Sequence, residues 1–328
     1  MPAPAGAVLT VPRPWAPVAL HAWEEPCISG KSGSGAIFFS GCPLKCVFCQ
    51  NMEISRGCKG VDLTEDQLIA GMQRLIDAGA QNINLVSPTQ YAPALARLLR
   101  RWKPPVPVVY NCGGYEKVET LRRLEGKVQI YLPDLKYVSE EAAWRYSHAK
   151  DYSGVATSAI REMYRQTGPY EMDEGTGLLK KGVIIRHMIL PGLLEDSKRI
   201  IDWVGSNFGP GQVLFSLMRQ YVPCGLAKEG KYPEIGRPLT EEEYQEVEDY
   251  LFQSPIEDGF VQEASSADSQ FIPAFDGTGV KAIMKRTDHV TDGSGFTHRE
   301  HGRRMPTVWA PAVARGRLFL LTLRRNLS

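Results

Sequence analysis

The chain has 328 residues, enough for one barrel-sized domain or two smaller ones with a substantial core. Its 43% hydrophobic and 23% charged residues are ordinary for a globular protein, and a formal net charge of +1 argues against nucleic acid or an anionic membrane as partner. No apolar run approaches the roughly 18 residues of a membrane span, and seven cysteines, three of them crowded together, suit metal or redox chemistry in a reducing, cytoplasmic compartment better than a secreted disulfide framework.

The first twenty residues are apolar but carry five prolines and no basic n-region, so residues 1–34 are expected to form an irregular N-terminal arm. From Gly35 short β-branched or aromatic runs alternate with longer amphipathic ones, the pattern of βα units. Strands are expected at 36–40, 82–86, 106–111, 128–132, 183–190, 213–218 and, more weakly, 259–262. The first long helix starts behind Thr64, with Gln67 completing a capping box and Leu68, Met72, Leu75 and Ile76 on one face, and it stops at Gly79. Further helices are expected at 91–101, 115–124, 139–147, 153–166, 196–207 and 240–252, the last with Thr240 and Glu243 as a second box. Six or so strands, each followed by a helix, predict an α/β fold with a parallel sheet curled into a partial (β/α)6-type TIM barrel over residues 35–279; an open doubly wound sheet is the alternative. Residues 280–328 differ in kind, with ten Lys and Arg against three acidic residues and an apolar stretch from Val308 to Leu321, and read as a divergent basic tail.

In such folds functional groups gather where strands end. The conspicuous polar motifs fall there: Cys42, Cys46 and Cys49 after the first strand, Ser87-Pro88-Thr89 after the second, Asn111-Cys112-Gly113-Gly114 after the third, Asp134-Leu135-Lys136 after the fourth, and Arg186-His187 within the fifth. The spacing C-x3-C-x2-C would fit one face of a helix packed in a core, but Gly41 and Pro43 favour a loop whose sulfurs converge. A zinc-stabilised binding module without catalysis remains a reading, with Cys58 or Cys27 as the fourth ligand. Three thiolates on a 4Fe-4S cluster instead leave the fourth iron open to a ligand.

C-x3-C-x2-C with Phe48 before the last cysteine resembles the signature of the radical S-adenosylmethionine (radical SAM) superfamily. The stretches HAWEEPCISG from His21, GAIFFSGCPLKCVFCQN from Gly35, SPTQY, YNCGGYE, YLPDLKY, ILPG and FIPAFDG resemble one branch, the proteins similar to pyruvate formate-lyase activating enzyme. The resemblance runs from about His21 to Gly279 and implies a 4Fe-4S cluster on Cys42, Cys46 and Cys49, with S-adenosyl-L-methionine as the second cofactor. By resemblance Phe48 contacts its adenine, Ser87 and Thr89 take the place of a strand-end motif that receives its amino group, and Asn111 approaches it beside flexible glycines. Asp134 and Lys136 match an Asp-x-Lys element near its carboxylate. Arg186, a charge in an apolar run, needs a partner such as a cofactor carboxylate or ribose. The same resemblance implies a glycyl-radical enzyme as substrate, a flavodoxin- or ferredoxin-type electron donor and a monomer; action on a small molecule or another protein side chain is the alternative. Without the resemblance, Phe48 reads as core, Ser87 to Thr89 as a turn, and Asp134 with Lys136 as a strand-end ion pair. Gln220 and Tyr221 are further contact candidates, His187 a hydrogen-bonded barrel residue, and Cys112 and Cys224 buried hydrophobes, redox thiols or substrate-facing groups.

Overall fold

The computed structural model describes residues 15–21, 24–57 and 60–262, with the backbone of two-residue strands at Trp309–Ala310, Val313–Ala314 and Arg317–Leu318. The sheet-forming strands are β1 (Trp15–His21), β2 (Ser34–Phe39), β3 (Ile83–Val86), β4 (Val108–Cys112), β5 (Ile130–Pro133), β6 (Leu179–Met188), β7 (Leu214–Met218) and β8 (Gly259–Gln262). Strands β2 to β8 pair in chain order and in parallel, while β1 runs antiparallel along β2. Together they form a curled half-barrel, the expected partial TIM barrel. Trp309–Ala310 adds an antiparallel edge beside β8, pairing with Gln262 and Val261, and Val313–Ala314 pairs antiparallel with Arg317–Leu318; the rest of the 280–328 tail, the FIPAFDG stretch and Cys58 lie outside the described residues.

The helices fall where periodicity and capping place them. Helix α1 (Glu65–Asp77) carries the Thr64–Gln67 capping box, in which both reciprocal bonds are made. Then follow α2 (Ala92–Arg101), α3 (Val118–Arg122), α4 (Glu140–Ser147, capped by Ser139), α5 (Tyr152–Thr167), α6 (Leu194–Asn207) and α7 (Glu241–Gln253, with the Thr240–Glu243 box). Helix α3 is shorter than the 115–124 expected, because the Gly113-Gly114 turn and the buried Glu116 occupy the residues before it.

One expectation is corrected. The N-terminal arm is not irregular throughout, since β1 hydrogen-bonds along β2 from Trp15 to His21. Its register shifts between Trp15 and Val18, around Pro17, and such a bulge on an edge strand is where a residue lacking N–H is tolerated.

Side-chain alternation divides the core in two. Ile37, Leu85, Tyr110, Tyr131, Ile185 and Phe215 pack outward against the helices, whereas Val109, Ile130, Leu132, Ile184, Leu214 and Phe260 fill the barrel interior. Cys27 and Ile28 join the interior set, so the segment after β1 packs against the floor of the barrel. By the same parity Asn84, Asn111, Arg186 and Ser216 also face inward. They form a polar layer above the apolar floor.

Candidate active site

The loop after β2 carries the three cysteines and is held on two sides. Gly41 N–H donates to Ile54 O at 2.9 Å and Cys42 N–H to Ser55 O at 3.1 Å, fastening it to a helical turn at Met52–Ser55. On the other side Val47 N–H donates to Tyr146 O at 2.8 Å, fastening it to the last turn of α4, where terminal carbonyls have no intrahelical partner. Gly41 takes a left-handed φ of 75°, which lets the chain turn straight off the strand. The three cysteines thereby line one cavity of about 260 Å³ at the barrel mouth.

Each sulfur has its own surroundings. Ser147 Oγ donates to Cys46 Sγ at 3.0 Å, and Cys49 Sγ lies 3.3 Å from Ser55 Oγ. Burial, with Cys46 and Cys49 close by, pushes the Cys42 thiol up to about 12. Burial also raises Cys46, which Lys136 partly offsets. Such thiols ionise readily only against a positive centre, the situation a metal group creates. Among the described residues no three Cys, His, Asp or Glu side chains converge tightly enough to share a single metal ion. Cys27, one of two candidates for a fourth zinc ligand, lies in the barrel floor with Ile28, Val109 and Ile130 and does not line the cavity. Three soft donors on one loop suit a cluster that gives each thiolate its own iron.

Facing the thiols is a charge network. Arg186 donates from Nε to Asp134 Oδ1 at 3.0 Å, from Nη1 to Glu24 Oε2 at 3.1 Å and from Nη2 to Asn111 Oδ1 at 2.6 Å. Lys136 Nζ donates to Asp134 Oδ2 at 2.6 Å. Asn84 and Asn111 donate to Glu24 Oε1 at 3.0 and 3.2 Å. Burial opposes ionisation of Asp134, yet Lys136 and Arg186 prevail and hold its carboxyl below the usual range. Burial likewise opposes the charge on Lys136, but Asp134 and Cys46 overcome it and hold the ammonium protonated. Glu25 is fully buried, accepts from Ser216 Oγ at 2.9 Å, and burial lifts its carboxyl to about 7.

Of the residues named from the sequence, Cys42, Cys46, Cys49, Phe48, Ser87, Asn111, Asp134, Lys136 and Arg186 all line the cavity. The rings of Phe48 and Tyr221 meet in a T-shaped arrangement, with centroids 5.9 Å apart. Ser87 has a left-handed φ of 56° and donates its N–H to Asn111 O at 2.8 Å. Thr89 is the exception: its hydroxyl donates to the buried Glu116, and it does not line the cavity. Gln220 lines it, whereas Tyr221 is buried with its hydroxyl on Ile235 O. His187 is structural, held between Leu135 O at 2.9 Å and Ser197 Oγ at 2.8 Å, with burial lowering it to about 4. Sequence reasoning assigned no role to Glu24, although it stands in the HAWEEPCISG stretch as part of an acidic pair before the apolar Pro26-Cys27-Ile28.

Fold and site together define a half-barrel α/β protein whose mouth sets a three-thiol loop against a partly buried Lys–Asp–Arg–Glu network. The chain matches no protein-family model. It is 32% identical over 246 residues to an uncharacterised protein of Methanocaldococcus jannaschii, covering 71% of this chain and 64% of that one. Among solved structures it overlaps a spore photoproduct lyase variant (TM-score 0.47, 14% identity, 70% of this chain and 76% of that one) and Streptococcus suis SuiB bound to precursor peptide SuiA (TM-score 0.44, 13% identity, 68% and 47%). Likeness at that level assigns no activity.

Proposed function

We propose that the protein is a radical SAM enzyme that reductively cleaves S-adenosylmethionine and uses the carbon radical so generated to take hydrogen from a substrate. The observation that carries this is the set of three thiols, from one loop, lining a single cavity with Lys136, Asp134 and Asn111. A 4Fe-4S cluster, when bound, would supply the electron needed to break the sulfonium bond. Cys42, Cys46 and Cys49 would hold it, and the backbone bonds to Ile54, Ser55 and Tyr146 fix where they do so. Lys136 keeps its proton beside Asp134 and has donors left for a carboxylate. Asn111 and Arg186 are locked to each other and to Glu24, so they shape the inner wall rigidly. Phe48, packed in a T-shaped pair with Tyr221 and lining the cavity, offers apolar ring surface for a planar base.

The substrate we favour is a backbone glycine of a partner glycyl-radical enzyme, supported by the resemblance to pyruvate formate-lyase activating enzyme and by the position of the cavity at the strand-end mouth, where a loop can enter. A flavodoxin- or ferredoxin-type protein is the proposed donor.

The test is anaerobic reconstitution with iron and sulfide. A brown protein with about four iron and four sulfide per chain is expected, releasing 5'-deoxyadenosine when given reductant and S-adenosylmethionine. Both properties should be lost in Cys46→Ala. A colourless protein with one tightly held zinc would overturn the reading. Adding a glycyl-radical enzyme should yield a glycyl radical by electron paramagnetic resonance; cofactor cleavage without that signal would retain the chemistry and reject the substrate.

A further inference from the structure

A thiol from outside the cysteine loop packs against it. Cys224 Sγ donates to Phe48 O at 2.9 Å, and Ala227 N–H donates to Val47 O at 3.2 Å. Between them Gly225 has a φ of 55°, and a Cβ there would lie 2.9 Å from Val47 O, so this close approach depends on glycine. The segment is built to lie on the loop.

The approach places Cys224 beside Cys49. A peptide oxygen lies about 2.8 Å from the following Cα. With the 2.9 Å bond to Phe48 O, the Cys224 sulfur therefore stands within about 6 Å of Cys49 Cα. The Cys49 sulfur swings on a radius of about 2.8 Å around its own Cα, so turning that side chain toward Cys224 can bring the two sulfurs to about 3 Å, and modest loop adjustment then closes a disulfide bond of about 2.05 Å. Cys49 and Cys224 are both partly exposed, while Cys46 is buried under the Ser147 hydroxyl. An oxidant in solution therefore reaches the first pair more easily than the Cys46–Cys49 pair of the C-x2-C spacing.

We propose that Cys49 and Cys224 are a reversible disulfide-forming pair, a modification site that removes one of the three loop thiols from the cavity. With a low-molecular-weight disulfide as oxidant, the Cys49 thiolate attacks one of its sulfurs, forming a mixed disulfide and releasing one thiol. Cys224 then attacks the Cys49 sulfur, closes the protein disulfide and releases the second thiol. The two protein thiols lose two electrons and two protons, and the oxidant gains them. Closure shelters Cys49 from irreversible oxidation to sulfinic acid when its metal group is lost to oxygen. The proposal does not depend on which metal group the three cysteines hold.

The experiment uses the full chain, stripped of any bound metal by exposure to air and a chelator and then treated with glutathione disulfide. Remaining thiols are alkylated and the digest is read by mass spectrometry. A peptide linking Cys49 to Cys224 is expected, together with two fewer titratable thiols, both reversed by dithiothreitol. In Cys224→Ser, whose hydroxyl keeps the bond to Phe48 O and whose thermal melt should match the parent's, glutathione should instead remain on Cys49. A dominant Cys46–Cys49 or Cys42–Cys46 disulfide, or a Cys224 that stays free while Cys49 is oxidised, would overturn the proposal.

Discussion

Arg186 on β6 and Glu24 on the segment after β1 are 162 residues apart in the chain, yet their side chains meet at 3.1 Å inside the barrel. The contact ties the N-terminal segment to the wall of the cavity. Arg186 also holds Asp134 and Asn111, so one guanidinium links the ends of β4 and β5 to a segment outside the parallel sheet. Replacing Arg186 with Met should cost on the order of 3 kcal/mol, because two largely enclosed carboxylates, 11% and 17% exposed, lose a partner. Glu24→Gln should cost less, since Asp134 still pairs the arginine. Urea unfolding of both single variants and the double variant should give a coupling of at least about 1 kcal/mol; strict additivity would show that the pair is not energetically linked.

Lys136 is the network member with donors to spare. Lys136→Ala should weaken S-adenosylmethionine binding about tenfold, the equivalent of one charge-assisted hydrogen bond. Asp134 retains Arg186 in this variant, so the thermal midpoint should fall only slightly. Isothermal calorimetry on the reconstituted protein reads the first quantity and a melt the second. An unchanged affinity would remove Lys136 from the cofactor site.

Gly114 separates backbone strain from mere exposure. Its φ is 79°, and a Cβ there would overlap the carbonyl oxygen of Asp134. Gly114→Ala should therefore cost well over about 2 kcal/mol and disturb the Asp134–Lys136 pair. Gly126 has a similar φ of 72° but nothing within 4 Å of the added carbon, so Gly126→Ala should cost only about 1 kcal/mol. Equal losses in the two variants would mean that the close approach to Asp134 is not energetically important.

Two buried groups give stability opposite pH dependences. Burial raises Glu116 from 4.5 to about 7, so the fold binds its proton more tightly than the unfolded chain. The stability this contributes is complete below about pH 4.5 and is lost as pH rises through 7, on the order of 3 kcal/mol in all. Glu25, also raised to about 7 by burial, acts in the same sense. His187 is depressed from 6.5 to about 4, so its contribution is complete above pH 6.5 and is lost as pH falls toward 4. Denaturant titrations at pH 5 and 8 should show that Glu116→Gln loses part of the alkaline decline, Glu25 supplying the rest. Parent and variant declining in parallel would place the Glu116 titration elsewhere.

Much of the fold was legible because its signals are local. Runs such as Ile83–Val86 and Val108–Cys112 have the composition of buried parallel strands, and the Thr64–Gln67 and Thr240–Glu243 boxes mark helix starts from four residues each. The strand-end rule then gathered the cysteines, Ser87, Asn111, Asp134 and Lys136 into one place, because parallel strands in register put all their C-terminal ends at one mouth. Thr89 failed that rule since it lies past the first turn after β3, where its hydroxyl meets Glu116 instead of the cavity.

By itself, then, the sequence determined the order of the βα units and the spacing of the three thiols on one loop, both readable from signals within a few residues. The tertiary structure decided which charges face one another. Arg186 met Glu24 and Cys224 met the peptide beside Cys49, because burial selects polar partners by position in space and not by separation along the chain; Trp15–His21 became a strand because the edge of β2 offered its backbone unpaired donors and acceptors.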